Sequence, residues 1–487
     1  MTDSITITIK DSDIKLSLKK GESFFRLLRE KGLFDTEHCG GIGKCGRCLV
    51  RFLNNAPLPT PSERRILKPE ELRGGMRMAC MTKPFRDCEI MLCFPKKRET
   101  FILDHFQIEK DKLTPVSNDG TMIITDLGTT TLAMLLVEKS SGKILKSFQR
   151  VNPQRKYGSD VISRIEAGLD GQARELAKLI RDTIEEGVAE LGGNPQFMAL
   201  AGNTAMIYLL LQYDLTGLSR EPFTAQNREE IVTELGIRTY IMPGISTFVG
   251  GDISAGIYAL LELKGQSVTD NDSSEVHEER GAKGTTSLLL DLGTNGEMAL
   301  LTENDIFVTA TAAGPAFEGR TNLWGRDMVK LVADFLDNHM IDSYGTIQEP
   351  YREKGIQVGE VNITQDDIRA IQLAKAAVRT GIEILCKQAE TPIESIKRVY
   401  LAGGFGYYID CERAARIGLL PKELAKKAET AGNTALLGLF LKYRKYDKDV
   451  TDEVWNDPIM DKIYKTKAFN LARVAEFEDN YIEQINF

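Results

Sequence analysis

Two stretches of this chain share one pattern: "MIITDLGTTTLAMLLVE" at residues 122–138 and "SLLLDLGTNGEMALLTE" at 287–303. Each reads as an apolar strand, an Asp-Leu-Gly-Thr turn and a second apolar strand. Each is followed further on by an apolar strand that runs into a glycine turn, "FMALAGNTAM" (197–206) and "RVYLAGGFGYY" (398–408). Two halves with the same order of elements predict a duplicated lobe with a ligand cleft at the join. The pentapeptide Ala-Gly-Asn-Thr-Ala also occurs twice, at 201 and 431, but at non-equivalent places in the two halves, so it carries little weight.

A glycine turn between two strands can bind phosphate through backbone N–H groups and threonine hydroxyls. An aspartate at its head can hold Mg²⁺, directly or through water, because hard cations select oxygen ligands. One Asp-x-Gly-Thr turn also makes an ordinary hairpin; two copies followed by "LAGGFG" (401–406) point to a nucleotide. The chain has no G-x-x-x-x-G-K-[ST], so a P-loop NTPase is not indicated.

A second constraint lies near the start, where "HCGGIGKCGRC" (38–48) places three cysteines among four glycines. Cys39, Cys45 and Cys48 are spaced C-x5-C-x2-C, and Cys80 in "RMAC" follows 32 positions after Cys48. A plant-type [2Fe–2S] site uses C-x4-C-x2-C with one distant fourth cysteine. Gly40, Gly41, Gly43 and Gly46 permit the tight turns that wrap a cluster. Structural zinc is the competitor, but it normally takes two pairs of close ligands, and Cys80 stands alone. Cys88 and Cys93 fall on opposite faces of a predicted strand; with Cys386 and Cys411 they read as buried, unreactive thiols.

At 487 residues the chain has room for about three domains or lobes. A net charge of −8 argues against nucleic acid or an anionic membrane as the main partner. No apolar run is long enough to span a bilayer, and the first residues lack a signal-peptide core, so a cytoplasmic location is expected. Eight cysteines there suggest metal or redox chemistry more than disulfides. Only four histidines are present, which leaves little room for a His-rich metal site.

Strand, strand, helix, cysteine loop and further strands make residues 1–94 a small α+β unit. Residues 95–120 read as a linker. The remainder, 121–487, divides into a first lobe at about 121–250, a second at about 251–440 and a tail at 441–487. A polar stretch at 265–286 reads as an exposed insertion.

Residues 1–94 resemble a β-grasp [2Fe–2S] ferredoxin domain. By that resemblance Cys39, Cys45, Cys48 and Cys80 are the cluster ligands. The three glycine turns resemble those of the actin, Hsp70 and sugar-kinase superfamily of ATPases, which has a duplicated, ribonuclease H-like fold. That resemblance makes "DLGTTT" the first phosphate loop, "DLGTNG" (291–296) the second and "LAGGFG" the adenosine loop. Asp126 would then organise Mg²⁺, and Gly128, Thr129, Thr130 and Thr131 would face the triphosphate from one lobe. Asp291, Gly293, Thr294 and Asn295 would close on it from the other, and Gly403, Gly404 and Gly406 would let adenosine approach the backbone.

Asp252 in "FVGGDISAG" has two readings, a helix N-cap or a cleft carboxylate that positions water or Mg²⁺. Asn203 and Thr204 in "AGNTAM" are a further candidate pair, and Glu318 in "AAGPAFEG" is a candidate for the pocket wall.

The whole chain resembles the reductive activators of corrinoid-dependent enzymes, which return oxidised Co(II) corrinoid to Co(I) in methyl-transfer systems. "NPQRKYGSDVISRI" (152–165), "AGNTAM", "FVGGDISAG", "TAAGPAFEG", "ITQDDIRAIQLAKAAVRTGIEIL" (363–385) and "YLAGGFGYYID" carry this resemblance. It implies an ATP-hydrolysing reductase whose partners are a corrinoid protein and a low-potential donor such as a ferredoxin or flavodoxin. A homodimer stays open. Larger family members carry an additional middle domain, and only the 95–120 linker is available for one here. The alternatives are an activator of another low-potential metalloenzyme, a superfamily small-molecule kinase with an accessory cluster, and a chaperone-like binding protein with a structural metal.

Overall fold

The computed structural model describes residues 4–10, 14–19, 23–31, 33, 48–93, 113, 116, 120–158, 160–266, 286–293, 295–312, 325–359, 361–406, 409–446 and 457–487. Cys39, Cys45, Thr294, Glu318, nearly all of the 95–120 stretch and most of 265–286 lie outside these residues. The chain forms two compact units, 1–99 with 153–167, and 100–152 with 168–487.

In the N-terminal unit, β1 (Ser4–Ile9) and β2 (Lys15–Lys19) pair as a hairpin with Ile7 opposite Leu16. Period-two alternation buries Ile7, Ile9, Leu16 and Leu18 on one face. The helix Phe24–Glu30 adds Phe24, Phe25, Leu27 and Leu28 to that core. β3 (Leu49–Phe52), β4 (Met76–Met78) and β5 (Cys88–Leu92) complete a sheet of order β2-β1-β5-β3-β4, in which β1 and β5 run parallel.

Between β3 and β4, Thr60 and Glu63 form a capping box on the helix Pro61–Ile66. The buried Glu63 uses its other oxygen to accept from the Met78 amide at 2.8 Å. One carboxylate thus fixes both a helix start and the strand that leads to Cys80.

The larger unit holds two six-stranded sheets. The first contains β6 (Thr121–Leu127), β7 (Thr131–Glu138), β8 (Ile144–Val151), β9 (Met198–Gly202), β10 (Ile231–Glu234) and β11 (Arg238–Ile241). Its order is β10-β11-β9-β6-β7-β8. The second is built from β12 (Ser287–Leu292), β13 (Gly296–Leu301) and β14 (Ile306–Thr311). After a small hairpin of β15 (Ile356–Val358) and β16 (Val361–Ile363), β17 (Arg398–Ala402), β18 (Ala428–Gly432) and β19 (Lys467–Ala468) join it. Its order is β18-β17-β12-β13-β14-β19. In each sheet an antiparallel meander of three strands is extended from its first strand by a parallel neighbour, β9 beside β6 and β17 beside β12.

The first sheet buries the apolar stripe Leu176, Ile180, Ile184 and Leu191 of the helix Ala173–Leu191, at helical spacing. Two other helices, Gly251–Gln266 and Thr434–Tyr443, share one core with residues of both sheets, including Ile124, Leu135, Leu289 and Ala299. Their crossing is tight. A Cβ on Gly438 would lie 1.8 Å from the Ala255 carbonyl oxygen, and one on Gly256 3.0 Å from Thr434 Oγ1. Backbone meets backbone at Gly438, so no rotamer change relieves a larger side chain. Gly438→Ala should therefore push the helices apart and lower the thermal midpoint by several degrees or abolish soluble folding, as followed by circular dichroism.

The segment expected as a tail is tied in. The boundary at 440 falls inside the helix Thr434–Tyr443, whose Lys442 forms a buried 3.3 Å ion pair with Glu230. β19 pairs with β14, and Gln372 Nε2 donates to the Ile485 carbonyl at 3.1 Å. Buried Lys375 donates to the Asn486 carbonyl; burial pushes its ammonium down to about 8. Among the described residues no helix is long and apolar enough to cross a membrane.

Candidate functional site

The two Asp-Leu-Gly-Thr turns lie where the sequence puts them, between β6 and β7 and between β12 and β13. In the first, the Gly128 amide donates to the Thr131 carbonyl at 2.9 Å. Fully buried Asn152 braces this turn: its side chain donates to the Gly128 carbonyl and its amide to the Thr130 carbonyl, both at 2.9 Å. Thr129 is buried, and Thr131 opens β7. In the second turn the Gly293 amide donates to the Asn295 carbonyl at 2.9 Å.

The hairpins differ by one residue. Asp126 sits opposite Ala133, whereas Asp291 sits opposite Glu297. The second hairpin therefore holds two carboxylates side by side on neighbouring strands, an arrangement that costs stability unless something compensates.

Asp126, Asp252, Asp291 and Glu297 come together in one recess. Burial pushes the Asp126 carboxyl up to about 6, partly offset by a hydrogen bond from Asn433. Burial, then the charge of Asp126, pushes Asp252 up to about 7. Burial, then Asp252 and Asp126, pushes Asp291 up to about 8. Burial, then Asp252 and Asp291, raises Glu297 well above its ordinary value. Each carboxylate lifts the next, as expected for like charges removed from bulk water.

Asp252 lies within the first turn of the helix Gly251–Gln266, and its Oδ1 accepts from the Ile253 amide at 2.9 Å. That corrects the N-cap reading: a cap residue precedes the helix, and here the glycine pair 250–251 occupies the turn's entrance. The glycines matter because the backbone is crowded. A Cβ on Gly250 would lie 2.4 Å from the Gly202 carbonyl oxygen and 2.6 Å from the Asn203 Cα.

Gly403 has φ +78 and backs directly onto the second hairpin, since a Cβ there would lie 2.4 Å from Asp291 Oδ1. Gly404 and Gly406 lie in the same short helix, Gly403–Gly406. Gly406 faces the end of β12, where a Cβ on it would lie 3.7 Å from Leu292 Cβ.

Two asparagines join the recess. Asn203 Nδ2 donates to Glu297 Oε1 at 3.3 Å, and Asn433 Nδ2 donates to Asp126 Oδ2 at 2.7 Å. Asn295 Nδ2 also donates to Glu297 Oε1, at 3.4 Å. Glu297, Asn433 and Asn152 were not singled out by the sequence, although Asn152 lies within a quoted stretch. The signal for Glu297 was a lone carboxylate in an otherwise apolar strand. The signal for Asn433 was the second Ala-Gly-Asn-Thr-Ala, which proves more informative than its placement suggested.

Among the described residues no three His, Cys, Asp or Glu side chains converge as a metal cage. The recess instead suits a cation that uses one or two carboxylates and keeps its remaining ligands from water and phosphate, as Mg²⁺ does.

In the N-terminal unit the Cys48 and Cys80 sulfurs lie 3.1 Å apart. The Ala79 amide donates to the Cys48 carbonyl at 2.6 Å, holding the end of β4 against the start of β3. Two converging thiols fit adjacent ligands of a single metal centre. The remaining described cysteines are held neutral by burial: Cys88 is pushed up to about 11, Cys386 to about 12, and Cys93 and Cys411 are raised.

Paired hairpins, a glycine-rich turn backed onto the second of them and carboxylates gathered between two sheets fit the ASKHA class, the fold of actin, Hsp70 and sugar kinases. Family models agree. One described as the RACo middle region matches residues 122–264, and one described as the C-terminal, ASKHA domain of RACo matches 285–330 and 321–487. The chain belongs to the RACo family, the reductive activators. The middle-region match corrects the expectation that only the 95–120 linker was available for such a region. The strands it covers carry the first Asp-Leu-Gly-Thr hairpin, which is why the sequence reads them as the first ATPase lobe.

The corrinoid activation enzyme RamQ of Eubacterium limosum is 27% identical over 393 residues, 65% of this chain and 63% of that protein. A "[Co(II) methylated amine-specific corrinoid protein] reductase" of Methanosarcina barkeri is 27% identical over 202 residues, 31% of this chain and 37% of that protein. The chain thus spans less than two thirds of the length of these curated relatives. The solved structure of a reductive activator for corrinoid, iron–sulfur protein superposes with a TM-score of 0.62 at 22% identity, covering 99% of this chain and 98% of that one.

Proposed function

We propose that this chain is an ATP-dependent reductive activator that passes one electron to an inactive Co(II) corrinoid protein and restores Co(I) for methyl transfer. The observation that carries this reading is the recess of Asp126, Asp252, Asp291 and Glu297 on paired hairpins, in a chain that also brings Cys48 and Cys80 together. Family membership and the similarity to a corrinoid activation enzyme and a corrinoid protein reductase support it.

The N-terminal unit is a β-grasp ferredoxin domain in this reading, supported by its mixed sheet, the helix Phe24–Glu30 packed on it and the C-x5-C-x2-C spacing. Cys39, Cys45, Cys48 and Cys80 hold a [2Fe–2S] cluster, which supplies one-electron chemistry when bound. Residues 121–487 form the ATPase, its two lobes duplicates of one another, as the parallel neighbours of β6 and β12 suggest. Asp126 and Asp291 hold Mg²⁺ and its waters, Gly128 to Thr131 and Gly293 to Asn295 cradle the triphosphate, and Gly403, Gly404 and Gly406 receive adenosine. Asp252 and Asn203 orient the attacking water, and the chain works in the cytoplasm, with a reduced ferredoxin or flavodoxin as donor.

ATP is needed for an energetic reason. Each 59 mV uphill costs tenfold in a one-electron equilibrium. Hydrolysis to ADP and phosphate favours one lobe arrangement over another and so biases a complex in which the transfer becomes possible. A Co(II) corrinoid protein mixed with this chain, a low-potential one-electron donor and MgATP should yield Co(I), followed by its absorption. Equal Co(I) formation without MgATP would overturn the coupling.

A further inference from the structure

The two Ala-Gly-Asn-Thr-Ala turns do one job from opposite sides. The first joins β9 to the helix Thr204–Leu211, and the second joins β18 to the helix Thr434–Tyr443. They occupy different positions in their sheets, so strand equivalence does not explain the identity. Their chemistry does. In each turn the asparagine caps its helix: Asn203 Oδ1 accepts from the Ala205 amide at 3.1 Å, and Asn433 Oδ1 accepts from the Leu436 amide at 2.9 Å.

Capping commits the carboxamide oxygen to the helix, which leaves the Nδ2 donors facing away from it. Each donor reaches a carboxylate of the other sheet. Asn433, at the end of β18, donates to Asp126 of β6; Asn203, at the end of β9, donates to Glu297 of β13. Asn203 and Asn433 are 4% and 8% exposed, so water competes weakly for either bond.

We propose that Asn203 and Asn433 are reciprocal positioning residues, each fixing a carboxylate of the opposite lobe only when the two sheets are closed on one another. This rests on the nucleotide-cleft reading above. The carboxylates that would meet MgATP are then correctly set in the closed arrangement and released when the lobes part. Capping rigidifies the donor, and the donor reports the position of the other lobe.

Serine separates the two roles, because it caps a helix nearly as well as asparagine but has no second donor that reaches across. Asn433→Ser and Asn203→Ser should lower the thermal midpoint less than the corresponding alanine variants, which lose the cap as well as the cross-lobe bond. In MgATP turnover, serine and alanine should behave alike: kcat falls roughly 10- to 100-fold for Asn433, whose bond is to a charged group, and less for Asn203, with KM changed little. If capping were the whole role, the serine variants would turn over like wild type.

Amide hydrogen exchange on nucleotide-free protein supplies a readout that does not require ATP chemistry. Asn433→Ser should speed exchange in the 126–131 hairpin, and Asn203→Ser in 295–297. Unchanged exchange in both serine variants overturns the proposal, whatever the turnover. Faster exchange in a protein that fails to hydrolyse MgATP would instead leave the cross-lobe pairing standing and remove the ATPase reading.

Discussion

Asp126→Asn is expected to abolish the MgATP dependence of corrinoid reduction and leave the visible absorption of the cluster intact, while Cys80→Ser does the reverse. The two residues lie in different compact units and serve different chemistry. Asp126 faces the recess, accepts a 2.7 Å hydrogen bond from Asn433 and adds its charge to the field at Asp252 and Asp291. Asparagine has nearly the same shape but no charge for a divalent cation, and its amide would set a donor against the donor of Asn433. The expected loss in MgATP turnover is at least about a hundredfold, on the scale of removing a charged group from a buried site.

Cys80 contributes a sulfur 3.1 Å from that of Cys48, and a serine hydroxyl is a poor substitute for a thiolate ligand of iron. Visible absorption should weaken or shift, and affinity for MgATP should stay at the wild-type value. Iron analysis and absorption spectra read the first effect, and a fluorescent-nucleotide titration reads the second. If zinc were found with the wild-type protein in place of iron, the electron-transfer reading would fail. If either substitution removed both properties together, the assignment of separate sites would fail.

The hairpins were legible because their strands are apolar and their turns carry a short, unusual signature. "DLGTTT" and "DLGTNG" could be placed between strands from periodicity alone, and Asp126 and Asp291 do lie at the strand ends facing one recess. The β-strands of the N-terminal unit were legible for the same reason, since "SITITIK" and "IKLSL" alternate with period two. Glu297 and Asn433 were not, because what defines each is a partner far along the chain. Glu297 became a site residue through pairing with Asp291 and a bond from Asn203, and Asn433 through a bond to a residue 307 positions away. A sequence pattern records neighbours along the chain, and a cleft between two sheets is built from residues that are not neighbours. Asp252 shows the same limit: a glycine pair followed by aspartate fits a cap as well as a cleft carboxylate, and its place inside the helix's first turn together with the charge of Asp126 beside it separates the two.

Nucleotide affinity should rise steeply as pH is raised from 6 to 8 and level off above. The ordinary carboxylate value lies near 4, and in the folded, nucleotide-free protein Asp126, Asp252 and Asp291 are pushed up to about 6, 7 and 8. Between pH 4 and 8 the folded chain therefore binds more protons than the unfolded one. By linkage, the contribution of these groups to stability is fully present below the unfolded value and is lost as pH rises through the folded ones. A cation such as Mg²⁺ needs the ionised forms, so its binding displaces protons, and the three groups titrate together as one cluster. Affinity for MgATP should be roughly 10- to 100-fold weaker at pH 6 than at pH 8, since each displaced proton contributes up to tenfold per pH unit. Thermal stabilisation by MgATP should correspondingly be larger at pH 8. The phosphates of the nucleotide also titrate near pH 6, and Asp291→Asn separates the two sources, because it removes a protein proton and leaves the nucleotide unchanged. The variant should bind more weakly at pH 8 and show a flatter profile; a wild-type profile that is already flat from pH 6 to 8 would show that the recess carboxylates do not meet the cation.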